Sequence, residues 1–178
     1  MIEVEKKFQP TNEQLVTLLA DSEFVKEVVN HDIVYDYSDY RLIKKGIRLR
    51  SRNGKLGLKA SDSSEDEEDS MESSISLEIE NEEEIKKYLK VNVPLAEFIQ
   101  DNLVEGINIK TARKKYKKGD FIIDVDNIDF GYSCVEIELL VKDKSEVRFA
   151  YQRIIELAKS YNFDLKEVPS DEVIRKLL

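Results

Sequence analysis

The chain has 178 residues, 41% of them hydrophobic, enough to close the core of one domain. A net charge of -9 argues against a general nucleic-acid binder, and no uninterrupted apolar run is long enough to span a bilayer. One cysteine and one histidine exclude both a disulfide framework and the usual four-ligand zinc site, so a cytoplasmic protein is expected and any metal must be held by oxygen.

The first element, Ile2 to Phe8, alternates with a period of two: Glu3, Glu5 and Lys7 share one face of a strand, and Ile2, Val4 and Phe8 share the other. Thr11 can cap a helix carrying Leu15, Val16, Leu18 and Leu19. Strands follow over about Val25 to Tyr37, Gly46 to Arg52 and Lys55 to Ala60. The stretch SDSSEDEEDSMESS, residues 61 to 74, is acidic and serine-rich with almost nothing to bury, and is expected as a flexible loop within a single domain spanning 1–178. Beyond it come a strand from Ser74 to Glu80, helices over Glu82 to Lys90 and Pro94 to Gln100, and strands over about Gly106 to Tyr116, Phe121 to Ile128 and Ser133 to Val141. A helix over Ser145 to Tyr161 and a last one over Ser170 to Leu178 complete the chain.

Eight strands with amphipathic helices make an α+β pattern, mainly antiparallel. If the apolar strand faces met inside a barrel, the helices would have only charged faces to cover. A sheet that closes with its apolar faces outward satisfies both sets of apolar surface and leaves a charged interior.

The charges sort by strand. In GIRLRSRNGKLGLKA the Asn53-Gly54 turn fixes a two-residue hairpin, which sets Arg52 opposite Lys55, Arg50 opposite Gly57 and Arg48 opposite Lys59. Five of these six same-face positions are cationic, and opposed like charges cost about 0.2–1 kcal/mol per pair. An anion between them explains the stacking, and guanidinium suits a phosphate chain. In FIIDVDNIDFGYSCVEIELLV, Asp124 and Asp126 share a face, as do Glu136 and Glu138. A turn centred on Gly131 would pair Asp126 with Glu136 and Asp124 with Glu138. Two carboxylates about 6 Å apart repel by roughly 3 kcal/mol at an effective dielectric near 20, a cost that protonation or cations must relieve. Magnesium or manganese, completed by phosphate oxygens, would do so. Glu78 and Glu80 repeat the acidic theme on their strand. Arg113 is expected to face inward through a bulge near Thr111. The single Cys134 reads as packing, and His31 as a surface residue.

These residues resemble the CYTH superfamily, the triphosphate tunnel metalloenzymes, which include thiamine triphosphatases, inorganic tripolyphosphatases and class IV adenylyl cyclases. The resemblance rests on Glu3-Val4-Glu5-Lys6-Lys7, then Tyr35-Asp36, Arg48 and Arg50, Lys59, Glu78, Arg113, Asp124 and Asp126, and Glu136 and Glu138. It covers nearly the whole chain and looks most like the thiamine triphosphatase branch. It implies an eight-stranded antiparallel closed β-barrel, a tunnel with a charged interior and helices packed outside. It also implies that Glu3, Glu5, Glu78, Asp124, Glu136 and Glu138 hold Mg2+ or Mn2+, that Lys7, Arg48, Arg50, Lys59 and Arg113 hold a small-molecule triphosphate, and that Glu136 and Glu138 orient the attacking water. The implied protein is a monomer or homodimer that hydrolyses thiamine triphosphate or inorganic tripolyphosphate, with adenylyl cyclase or a non-catalytic polyphosphate-binding module as alternatives. Two features depart from the thiamine triphosphatase pattern. The chain has no tryptophan, where that branch carries one before its Arg-x-Arg pair, and Pro169-Ser170-Asp171-Glu172 is acidic where a basic residue is expected on the last helix.

Overall fold

The structure, a computed structural model, describes residues 2–61, 76–166 and 168. Most of the acidic stretch, the basic position expected on the last helix, and that helix itself lie outside the described residues. Eight strands form one antiparallel sheet: β1 (Ile2–Phe8), β2 (Glu23–Asp36), β3 (Ile47–Arg52), β4 (Lys55–Ser61), β5 (Ser76–Ile79), β6 (Val104–Lys118), β7 (Phe121–Ile128) and β8 (Tyr132–Val141). Their order around the sheet is β1-β8-β7-β6-β2-β3-β4-β5. The sheet curls until β1 and β5 approach, and Lys59 on β4 reaches Glu5 on β1 across that seam at 2.6 Å. The result is a nearly closed barrel.

Among the described residues four α-helices lie outside it: α1 (Asn12–Leu19), α2 (Glu82–Leu89), α3 (Leu95–Asn102) and α4 (Val147–Ser160). Thr11 caps α1 as expected, in a reciprocal capping box with Gln14. Two apolar clusters bind the helices to the barrel. In one, Val4, Phe8, Ile123, Val135 and Ile137 meet Leu18 of α1 and Ile154 of α4; in the other, Leu49 and Leu58 meet Ile85 of α2 and Leu95 of α3. Each such large side chain contributes about 1.5–3 kcal/mol by leaving water. The period-two alternation thus sends its apolar rows outward, and Tyr35 and Tyr37 join the second cluster.

The Asn53-Gly54 hairpin has the predicted register, with Arg48 opposite Lys59 and Arg52 opposite Lys55. Asn53 and Gly54 both take positive φ, 52° and 84°, as a tight hairpin turn requires. Two expectations are corrected. The β7–β8 loop is three residues centred on Phe130, so Asp124 pairs with Glu136, and Asp126 pairs with Cys134. Gly131, at φ 85°, closes that turn in the left-handed region and is not its centre. No bulge falls at Thr111: the β2–β6 ladder is continuous from Asn30–Thr111 to Val28–Arg113, and its irregularities lie between Phe24 and Lys26 and between Val34 and Tyr35. Arg113 faces inward because it shares the parity of Ile107, Ile109 and Thr111, which line the interior on the same unbroken part of the ladder.

Candidate functional site in the tunnel

The tunnel lining follows from the ladders. Lys7 stands opposite Glu136 and Glu5 opposite Glu138 on β1–β8. Asp124 stands opposite both Glu136 on β8 and Lys115 on β6, and Asp126 opposite Arg113. On the other wall Glu78 faces Lys59, which faces Arg48. Every residue proposed from sequence for metal or phosphate therefore projects from the inner face of its strand.

The contacts among them are ionic and short. The Arg113 guanidinium donates from Nη1 to Asp124 Oδ2 at 2.6 Å, from Nε and Nη2 to Asp126 at 2.7 Å each, and from Nη2 to Glu136 Oε2 at 2.8 Å. Lys115 approaches Asp124 Oδ2 at 3.1 Å and Glu138 Oε2 at 3.6 Å. Lys7 lies 3.6 Å from Glu136. At the seam Lys59 gathers Glu5, Glu3 at 3.8 Å and Glu78 at 3.7 Å. Arg50 meets Glu78 at 3.3 Å, and Arg52 grips Asp32 through two bonds of 2.8 Å. The repulsion expected within the carboxylate patch is thus relieved by cations from β6, the neighbouring strand.

Burial and this charge pattern set the titration. Burial, and then Glu138, push the Glu3 carboxyl above the ordinary carboxylate range. Burial, and then Glu136, push Glu5 up in the same direction, and burial likewise raises Asp124 and Glu138 against the pull of Arg113 and Lys115. Glu136 moves the other way: burial opposes its charge, but Lys7, Arg113 and Lys59 outweigh it and hold the carboxyl well below that range. Burial raises the Cys134 thiol to about 12, consistent with inert packing.

The donors suit a hard divalent cation, since all are carboxylate oxygens. The Oδ1 atom of Asp124, in a residue only 1% exposed, has no hydrogen-bond partner among the described residues. A buried carboxylate oxygen left this way is costly and fits a coordinating role. Among the described residues no three carboxylates converge as a ready cation cage; Lys59, Lys115 and Arg113 stand between them.

Beside this cluster lies a chamber of about 870 Å³, open mouth included. Its described lining includes five cations, Lys7, Arg48, Arg50, Arg52 and Arg113, against two carboxylates, Asp32 and Asp126. Three further residues join the site: Arg52 shares the strand face of Arg50 and Lys115 that of Arg113, whereas Asp32 on β2 is placed only by its register opposite Arg52. Asp36, part of the resemblance, has a structural role. Its buried carboxylate accepts the backbone N–H groups of Tyr37, Leu42 and Ile43 and so fixes the loop that delivers β3 and its arginines.

A tunnel of eight antiparallel strands whose inner face divides into carboxylates and a cationic chamber is the architecture of triphosphate tunnel proteins. The family model for the CYTH domain matches residues 1–168, and the chain belongs to the CYTH family. Members of that family typically act on triphosphates and generally depend on a divalent metal. No curated protein matches the chain. Among solved structures it is similar to a protein of Pyrococcus horikoshii OT3, at 21% identity and a TM-score of 0.68 over 98% of this chain and 99% of that one. It is also similar to a candidate adenylate cyclase of Vibrio parahaemolyticus, at 17% identity and a TM-score of 0.64 over 99% and 98% of the two chains. A third likeness is to a candidate adenylyl cyclase of Hippeastrum described as having a dominant triphosphatase activity, at 16% identity and a TM-score of 0.56 over 98% and 95%. Among the described residues no helix is long and apolar enough to cross a membrane.

Proposed function

We propose that the chain is a divalent-metal-dependent triphosphatase that releases the terminal phosphate of a small-molecule triphosphate. The observation that carries this reading is the chamber in which five cationic side chains face two carboxylates, directly beside a carboxylate cluster with an orphaned oxygen. A chain of three phosphates needs the first, and a Mg2+ or Mn2+ ion needs the second.

Arg48 and Arg50 would grip the phosphate chain by paired N–H donors, and Lys7, Lys59 and Arg113 would neutralise its charge. Glu3, Glu5, Glu78, Asp124, Glu136 and Glu138 would hold the metal, which when bound offsets charge developing on phosphate oxygens. Glu136 already contacts Lys7 and Arg113 and so positions both cations. Glu138 lies 3.6 Å from Lys115 and lacks the short 2.8 Å guanidinium contact that Arg113 makes to Glu136, so it is the freer of the two to orient a water and take its proton. Water oxygen then bonds to the terminal phosphorus as the bridging P–O bond breaks, giving orthophosphate and a shortened phosphate chain. Fixed charges and alignment would supply most of the barrier reduction, as in phosphoryl transfer generally.

The test is orthophosphate release from thiamine triphosphate and inorganic tripolyphosphate, with and without Mg2+ or Mn2+. Metal-dependent release from at least one is expected; silence with both sinks the hydrolase reading. The likeness to candidate cyclases adds an arm with ATP, in which cyclic AMP and pyrophosphate instead of orthophosphate would favour the cyclase reading.

A further inference from the structure

The turn between β3 and β4 is fastened to β2 by a side chain. The β2–β3 ladder ends where Asp32 stands opposite Arg52, because the chain turns away at Asn53 and Gly54. Asn53 nevertheless continues the pairing by one step. Its backbone N–H donates to the His31 carbonyl at 2.9 Å, and its side-chain Oδ1 accepts the His31 N–H at 2.8 Å. The side-chain amide thus takes the place of the backbone carbonyl that a longer strand would offer. Its Nδ2 lies 3.5 Å from Oδ1 of Asn30, a buried residue of the chamber wall, and the His31 ring Nε2 donates to Asn108 Oδ1 on β6 at 2.7 Å. The turn is therefore tied through β2 to β6.

The hairpin tip needs such a tie. Arg52 stands opposite Lys55, and like charges placed so push the two strands apart. Arg52 is drawn to Asp32 on β2 through two bonds of 2.8 Å, and Lys55 to Glu80 at the end of β5. Because β2 and β5 flank the β3–β4 pair, these two attractions pull the tip in opposite directions. Asn53 adjoins Arg52 and holds the tip on the β2 side, where Arg52 lines the chamber with Arg48 and Arg50. Position 53 has φ 52°, which Asn, Asp and Gly tolerate, but of these only Asn and Asp carry an oxygen for the His31 N–H.

We propose that Asn53 is a positioning residue: its side chain fastens the hairpin tip to β2 and so presets Arg52, and the arginine row that it ends, for a polyanion in the chamber. A row fixed before the anion arrives loses less freedom on binding, a gain that shows in affinity and not in turnover. The proposal rests on the triphosphatase reading for the identity of the anion only.

The test uses Asn53→Gly, which keeps the backbone conformation and removes the oxygen, and Asn53→Asp, which keeps both. Exchange of the Arg52 Nε–H is read by NMR, tripolyphosphate affinity by calorimetry in metal-free buffer, and KM and kcat from orthophosphate release with Mg2+. Asn53→Gly is expected to speed the Arg52 exchange and to weaken tripolyphosphate binding by about fivefold each, the weight of one hydrogen bond. KM should rise by the same factor, with kcat within about twofold. Asn53→Asp should return exchange, affinity and KM to within about twofold of wild type. Unchanged exchange and affinity in Asn53→Gly, or a loss in Asn53→Asp as large as in Asn53→Gly, would overturn the proposal. A fall in kcat equal to the rise in KM would mark a general loosening of the barrel and overturn it as well. If the wild type binds no tripolyphosphate, the triphosphatase reading falls, and the Arg52 exchange rates alone decide whether Asn53 holds the row.

Discussion

On the β7–β8 side of the tunnel, buried carboxylates are matched to cations from an adjacent strand: Arg113 takes Asp124, Asp126 and Glu136, and Lys115 bridges Asp124 and Glu138. On the β3 side the order is reversed. Arg48, Arg50 and Arg52 stand in one row, and their cationic excess faces a chamber. On the carboxylate side each acid already has a cationic neighbour, so a metal would compete with resident cations to enter it. The described lining of the arginine side carries more cations than carboxylates, a surplus that suits a polyanion. One barrel can hold opposite ligands because β6 and β4 each insert cations among acids, a division that no single strand shows.

The largest expected effect comes from removing the balance. Arg113→Met leaves three carboxylates facing one another in a site where breaking a buried pair costs about 3–5 kcal/mol. Denaturant unfolding should show a loss of that order, and saturating Mn2+ should recover part of it by occupying the acidic side. A loss of similar size from an exposed pair such as Lys55 and Glu80, which needs no such balance, would break the distinction.

A second variant sharpens the competition. Lys115→Met removes a cation between Asp124 and Glu138, so metal-free stability should fall while Mn2+ affinity rises by about tenfold, read by calorimetry. Weaker metal binding would show that Lys115 supports the metal site and does not contest it.

The smallest effect is a pH dependence. Glu3, Glu5 and Glu138 favour the protonated form in the fold, so the stability they give is present below the ordinary glutamate value of 4.5 and is lost as pH rises through their higher folded values, which for Glu5 is about 8. Glu136 runs the other way, with its contribution lost as pH falls below 4.5. The metal-free protein should therefore melt at progressively lower temperature from pH 4.5 toward 8, and the stabilisation added by Mg2+ should grow over the same range. A stabilisation by Mg2+ that does not change with pH would count against carboxylates as the binding groups.

Much of this was legible from residue order. Outward Ile2, Val4 and Phe8 and inward Glu3, Glu5 and Lys7 follow from a period of two, and Asn53-Gly54 set its hairpin register because that dipeptide permits one short turn. The β7–β8 register was missed because a glycine in a three-residue loop can occupy its centre or its end, and here Gly131 closes it. The presumed bulge at Thr111 came from expecting a charged lining throughout. Ile107 and Ile109 turn inward on an unbroken ladder, and an apolar wall inside a charged tunnel has no signature in alternation alone. The seam was also hidden, since the approach of Lys59 to Glu5 depends on how far the whole sheet curls.

The division of labour between the two sides is tested most directly by a crossed pair of variants. Orthophosphate release is measured as metal and triphosphate are varied in turn, for Glu3→Gln and Arg48→Ala. The account predicts that Glu3→Gln raises the metal concentration for half-maximal rate by about tenfold with little change in triphosphate KM, and that Arg48→Ala raises KM by about tenfold with little change in metal requirement. If both variants shift both quantities alike, the tunnel does not divide into a metal side and a phosphate side.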